Sequence, residues 1–163
     1  MNFVFVSPNF PLNYYHFVTS LNKNGVTVLG IGDTPYENLN PELKEALKEY
    51  YFVSDLSNYN ELVRAMGYFT FRYGKIDWVE SLNEYWLEND ARLRTDFNIQ
   101  TGLNSSEISR YKQKSVMKKY YALAGVKTAK WHLVTDKEDC LKFIKQVGYP
   151  LIVKPDNGVG ASD

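Results

Sequence analysis

Asn2-Phe-Val-Phe-Val-Ser-Pro8 opens the chain with a short apolar run stopped by a turn pair, and Val26-Thr-Val-Leu-Gly-Ile-Gly-Asp33 repeats the pattern. Each run reads as a buried strand. Between them Tyr14, Phe17, Val18 and Leu21 recur at helical spacing, and Asn24-Gly25 supplies a helix stop. Strand, helix, strand with short connections predicts a parallel sheet covered by helices. The alternation continues outward. Pro41 suits the first turn of a helix over Glu42–Tyr50. Tyr51–Val53 reads as a third strand ended by Ser54-Asp55. Leu62, Met66, Phe69 and Tyr73 share one helical face before Gly74, and Ile76–Val79 reads as a fourth strand.

In such sheets ligands bind beyond the carboxyl ends of the strands. Those ends carry Ser7 and Asn9, Asp33, Ser54 and Asp55, then Glu80, Asn83 and Glu84. Glu80, Asn83 and Glu84 are the candidate substrate contacts. The competing explanation is that all of these are turn and cap residues, which favour the same positions.

After Glu84 the pattern is mostly helical. Glu84–Phe97 is expected to be a helix carrying Arg92 and Arg94, Asn98–Asn104 a connection, and Ser105–Ala124 a second helix striped by Met117, Tyr120, Tyr121 and Ala124. Trp131–Val134 reads as a short strand. Asp136 caps a helix with a buried face of Cys140, Leu141, Ile144 and Val147, and Gly148 stops it. Leu151–Lys154 is read as a final strand. The division expected is 1–104 and 105–163.

Composition narrows the function. Lys+Arg and Asp+Glu both number 19, so the 163-residue chain has zero formal net charge. Nothing electrostatic favours nucleic acid or an anionic membrane as partner. Hydrophobic residues make up 44%, enough for a core without metal or disulfide staples. The lone cysteine, Cys140, can form no internal disulfide and reads as a packed thiol. The N-terminus lacks the basic and long apolar regions of a secretory signal, and no apolar run reaches the ~18 residues of a membrane span. The expected location is the cytoplasm.

The chemistry concentrates at the end, in Pro150-Leu-Ile-Val-Lys-Pro-Asp-Asn-Gly-Val-Gly-Ala-Ser-Asp163. Lys154 sits at a strand end as a compact positive charge. Gly158 and Gly160 permit backbone conformations that turn N–H groups toward an anion, and Ser162 adds a hydroxyl. A glycine turn beside a surface lysine explains the same spacing. GxxxxGK[ST] is absent, and Ser7-Pro8-Asn9-Phe10-Pro11 after the first strand is no dinucleotide fingerprint. A nicotinamide enzyme is therefore disfavoured.

Four motifs in order go further: Lys114-Ser-Val-Met117, Ala124-Gly-Val-Lys-Thr-Ala129, Gly148-Tyr-Pro-Leu-Ile-Val-Lys-Pro155 and Gly158-Val-Gly-Ala-Ser162. With them the segment from Tyr111 to Asp163 resembles the opening of an ATP-grasp domain. The preceding part resembles the smaller α/β domain that comes before ATP-grasp domains in carbamoyl phosphate synthase-like and biotin carboxylase-like enzymes. Trp86-Leu-Glu-Asn-Asp-Ala-Arg-Leu-Arg94 resembles a helix of carboxylate–amine ligases in that superfamily. The fold implied is α/β: a small parallel Rossmann-like sheet flanked by helices, then the start of an ATP-grasp α+β subdomain.

The resemblance implies that Lys114 and Lys154 contact ATP phosphates and that Gly158, Val159, Gly160, Ala161 and Ser162 form the loop over the β- and γ-phosphates. Such enzymes use ATP and magnesium to convert a carboxylate to an acyl phosphate, which an amine or similar nucleophile attacks. Gln113 departs from the acid the family often carries before the lysine. Magnesium ligands and most adenine contacts are expected from residues following Asp163. This chain by itself is accordingly expected to be an inactive N-terminal portion that binds ATP weakly. Its partners are ATP and a small carboxylate; oligomeric state is left open, a homodimer included. The alternative is a non-catalytic flavodoxin-like binding or regulatory domain with Asp33, Asp55 and Glu80 as an acidic surface and Lys154 in a structural role.

Overall fold

The computed structural model describes residues 1–158. It divides into two compact units, Met1–Ser105 and Ser106–Asp163. The first unit is built as β1 (Asn2–Val6), α1 (Tyr15–Lys23), β2 (Thr27–Gly32), α2 (Pro41–Ala46), β3 (Glu49–Phe52), α3 (Tyr59–Tyr73), β4 (Trp78–Glu80) and α4 (Leu87–Asp96). The four strands form one parallel sheet in the order β3-β2-β1-β4. Parallel pairing forces each connection to cross back over a sheet face, so both faces become buried.

Alternation along β1 divides the core in two. Val4 and Val6 join Leu29, Ile31 and Val79 beneath α3 and α4, where Leu62, Met66, Phe69 and Leu93 pack. Phe3 and Phe5 point to the other face with Val28, meeting Val18 of α1 and Leu43 and Ala46 of α2. On this second face Gly30 lies opposite Phe5 in the β1–β2 register. The Tyr50 ring covers it: a Cβ at Gly30 would come within 3.0 Å of Tyr50 Cδ2, and one at Gly32 would collide with the Tyr50 hydroxyl. The two glycines leave the space into which the half-buried Tyr50 ring fits, and its hydroxyl donates to Thr34 O at 2.7 Å. Burial holds the Tyr50 phenol well above its ordinary pKa.

The helix expected over Glu42–Tyr50 stops at Ala46. Leu47 turns extended, and Lys48 N donates to Val28 O at 2.8 Å. Pairing at the sheet edge overrides the helical propensity of this stretch. Asn40 caps α2 through Glu42 N and Asn58 caps α3 through Asn60 N.

The second unit contains α5 (Ser109–Lys112), α6 (Lys114–Leu123) and α7 (Lys137–Val147). The single helix expected over Ser105–Ala124 is interrupted at Gln113, whose backbone is extended (φ −87°, ψ 118°). Asp136 caps α7 by accepting from Asp139 N, and Gly148 ends it with φ 75°. Neither Trp131–Val134 nor Leu151–Lys154 forms a strand. A strand exists only through the ladder it shares with a neighbour, and no described segment pairs with either run. Ile152 and Val153 are 86% and 87% exposed. The face of Cys140, Leu141, Ile144 and Val147 on α7 is not buried either. Among the described residues of this unit only Ile108, Lys112 and Ser115 are buried.

Candidate functional site

The strand order makes β1 and β4 the switch point of the first unit. From β1 the chain builds outward to β2 and β3, then returns to place β4 on the other side of β1. The loops leaving these two strands lie where doubly wound folds bind ligands. Each loop carries a non-glycine residue in the left-handed region: Ser7 after β1 (φ 56°) and Leu82 after β4 (φ 55°). Such conformations persist where surrounding contacts over-determine them, and they cluster at functional sites.

The contacts that impose Leu82 are explicit. Ser81 donates from its backbone N (3.0 Å) and Oγ (2.6 Å) to Asp90 Oδ2. Leu82 N donates to Glu80 Oε1 at 3.3 Å, and the Tyr14 hydroxyl donates to Leu82 O at 2.7 Å. Tyr85 N donates to Asn83 Oδ1 at 2.9 Å. Below the loop lies Arg94, whose side chain is 3% exposed. Its Nε and Nη2 donate to Val79 O, its Nη1 to Leu103 O, and its Nη2 pairs with Glu80 Oε2 at 2.7 Å. Gly102, at φ 80°, lies against this guanidinium, where a Cβ would sit 2.8 Å from Arg94 Nε. One buried fork thus ties the end of β4 to the connection after α4.

Asp90 is buried completely, and its Oδ1 makes no hydrogen bond. Burial is the largest influence on its carboxyl and raises it to about 7; Ser81 and Arg94 oppose this, and the nearby Glu80 charge adds to it. The native carboxyl therefore keeps its proton over a range where the unfolded one, near 3.8, has lost it. Between those values the native state binds more protons, so stability falls as pH rises through the window and levels off above it. Asp90→Asn retains an acceptor for Ser81 and cannot ionise. Its stability relative to wild type is expected to rise by roughly 2–4 kcal/mol between pH 4 and pH 7. Parallel urea melts of the two proteins read this directly, and parallel pH profiles would refute it.

On Asn9, Nδ2 donates to Thr34 Oγ1 at 2.8 Å while Oδ1 is buried and unpartnered. Ser54 and Asp55 are spent locally. Asp55 accepts from Ser57 N and Oγ, and Glu61 accepts from Ser54 N and Oγ. Of the three candidate substrate contacts, Glu80 is paired with Arg94, Asn83 holds the turn into α4, and Glu84 is exposed. In the sequence Arg94 stands out only as part of the helical stretch Trp86–Arg94, and Asp90 not by itself. Their four-residue spacing puts both on one helical face, a signal that an apolar-periodicity search ignores.

In the second unit the interruption at Gln113 frees the N-terminus of α6, and the turn after Lys154 occupies it. Lys114 N donates to Asp156 O at 3.0 Å. Ser115 N and Oγ donate to the two Asp156 carboxylate oxygens at 2.7 and 2.8 Å. Lys114 Nζ donates to Gly158 O at 2.9 Å and lies 3.5 Å from Asp156 O. Lys114 and Gly158, far apart in sequence, are therefore brought together. Lys154 is exposed. Val159, Gly160, Ala161 and Ser162 lie outside the described residues.

Elsewhere in this unit His132 pairs with Asp139 at 2.5 Å and stacks on Phe143, which ties the preceding segment to α7. Among the described residues no group of three His, Cys, Asp or Glu side chains converges to hold a metal ion. Among the described residues no helix is long and apolar enough to cross a membrane.

No protein-family model and no curated protein sequence matches the chain. Solved structures do. The L-amino acid ligase of Bacillus licheniformis superposes with a TM-score of 0.69 at 18% identity, over 96% of this chain and 37% of the ligase. The biotin carboxylase domain of Hydrogenobacter thermophilus 2-oxoglutarate carboxylase, a dimer in complex with MgADP, ADP and bicarbonate, gives 0.74 at 19% identity. That match covers 97% of this chain and 35% of the other. The chain thus spans little more than a third of either enzyme, and what it shares with them is the fold of the N-terminal part of ATP-grasp enzymes.

Proposed function

We propose that this chain is the N-terminal portion of an ATP-dependent ligase that activates a carboxylate as an acyl phosphate. In the reaction envisaged, a carboxylate oxygen attacks the γ-phosphorus of ATP and the bond to the β-phosphate oxygen breaks, releasing ADP. An amine or similar nucleophile then adds to the acyl carbon, phosphate leaves, and the nucleophile gives up a proton. Phosphoryl transfer of this kind depends on positioning and charge neutralisation more than on covalent help.

The observation that carries the reading is the meeting of Lys114 with the turn at Gly158. It sets a cation beside a glycine-containing turn whose carbonyl now accepts from it; the ammonium is the donor that would meet a phosphate. Lys154 and residues 158–162 would complete the phosphate contacts. The loops carrying Ser7 and Leu82 would receive the small-molecule carboxylate, with Asn83 and Glu84 beside them and Glu80 held by Arg94. Among the described residues no carboxylate cluster would hold a magnesium ion, and we assign its ligands to the remainder of such a ligase. We place the protein in the cytoplasm, and a homodimer is compatible with the reading.

The chain itself is expected to bind MgADP only in the millimolar range. Amide chemical-shift titration detects binding that weak, with saturable shifts expected at Lys114, Ser115 and Gly158. Absence of shifts at these amides while other surfaces respond would sink the reading, as would micromolar affinity its fragmentary part.

A further inference from the structure

We propose that Asp156 is a positioning residue for the phosphate-binding lysine, acting as a long-range cap of α6. The inference rests on the phosphate reading of Lys114 and names the residue that fixes it. Three other helices, α2, α3 and α7, are capped by the side chain of their own N-cap residue, Asn40, Asn58 and Asp136. α6 has none: Gln113 makes no side-chain cap bond, and the first turn contains no acid. Free N–H groups at a helix start require acceptors. Asp156, 41 positions from Ser115, supplies those of Lys114 and Ser115. Its carboxylate takes Ser115 N and Oγ, and its backbone oxygen takes Lys114 N. Ser115 is buried, so this contact is shielded from competing water.

The consequence falls on Lys114. A lysine stem is long and flexible, and its ammonium is held only if its backbone is fixed and acceptors stand within reach. Asp156 meets both needs: it fixes the start of α6, and the turn it begins presents Gly158 O to Nζ at 2.9 Å. A phosphate oxygen can replace that carbonyl as acceptor without moving the helix. The ammonium is thus stationed beside the phosphate position before nucleotide arrives.

The test uses the full chain and MgADP as probe, read by amide chemical-shift titration. Asp156→Ala is expected to weaken binding tenfold or more, and Asp156→Asn, which keeps an acceptor for Ser115 N, to weaken it less. In a Lys114→Ala background Asp156→Ala should add little, because its effect passes through that side chain. Multiplying effects would make Asp156 merely structural and overturn the proposal. A second readout needs no nucleotide: the Lys114 ammonium resonance, slowly exchanging in wild type, should broaden in Asp156→Ala. No change there overturns the positioning role even if MgADP binds. If wild type binds no MgADP while the ammonium signal still depends on Asp156, the phosphate reading alone has failed.

Discussion

Replacing Arg94 with leucine is expected to cost about 3–5 kcal/mol, enough to abolish most of the stability of a domain this size. The argument is the number of groups that one side chain satisfies. Arg94 donates to Val79 O through two nitrogens, to Leu103 O through a third, and pairs with Glu80. Leucine would leave two carbonyls without their donors and a largely buried carboxylate without its cation. Unpartnered buried groups incur their full desolvation cost, which exceeds the net value of the bonds when made. Arg94→Lys should recover only part of the loss, because an ammonium cannot reproduce the planar fork. Urea denaturation followed by tryptophan fluorescence checks this, since Trp78 lies on β4 beside the site. A loss below about 1 kcal/mol for the leucine variant would mean the fork is a surface ornament.

The second large effect concerns the two units. Hydrogen exchange should find the amides of α3 and the central strands protected by global unfolding, and those of α6 and α7 exchanging roughly a hundredfold faster or more. The first unit holds both apolar clusters, with Val4, Leu29, Leu62 and Phe69 fully buried. In the second unit Leu123, Ile152 and Val153 are more than four-fifths exposed, and α7 buries no residue. Helices of 10 and 11 residues are marginal without tertiary packing. Equal protection in α7 and α3 would contradict this account. Addition of a polypeptide that supplies strand partners for Leu151–Lys154 should slow exchange in the second unit selectively.

Much of the first unit was legible in the sequence because its signals are local. The strands Asn2–Val6 and Thr27–Gly32 are apolar runs bounded by turn residues, and Leu62, Met66 and Phe69 repeat at the helical period. Errors arose where a distant partner decides. Lys48 leaves the helix because Val28 O accepts its N–H, and Gln113 interrupts a helix whose next turn is capped from Asp156. Leu151–Lys154 alternates like a strand, but alternation does not provide the neighbour that a strand needs.

The candidate site divides the same way. By itself the sequence determined the parallel alternation of strand and helix, the residues at the strand ends, and the motifs containing Lys114, Lys154 and Gly158. Those follow from periodicity, turn chemistry and composition, which act over a few residues. Only the tertiary structure decided that Glu80 is held by Arg94, that Ser81 and Asp90 hold Leu82 in a left-handed turn, and that Asp156 stations Lys114. These depend on hydrogen bonds whose partners lie from 9 to 44 positions apart. No local propensity encodes them; they exist because burial leaves each polar group no other partner.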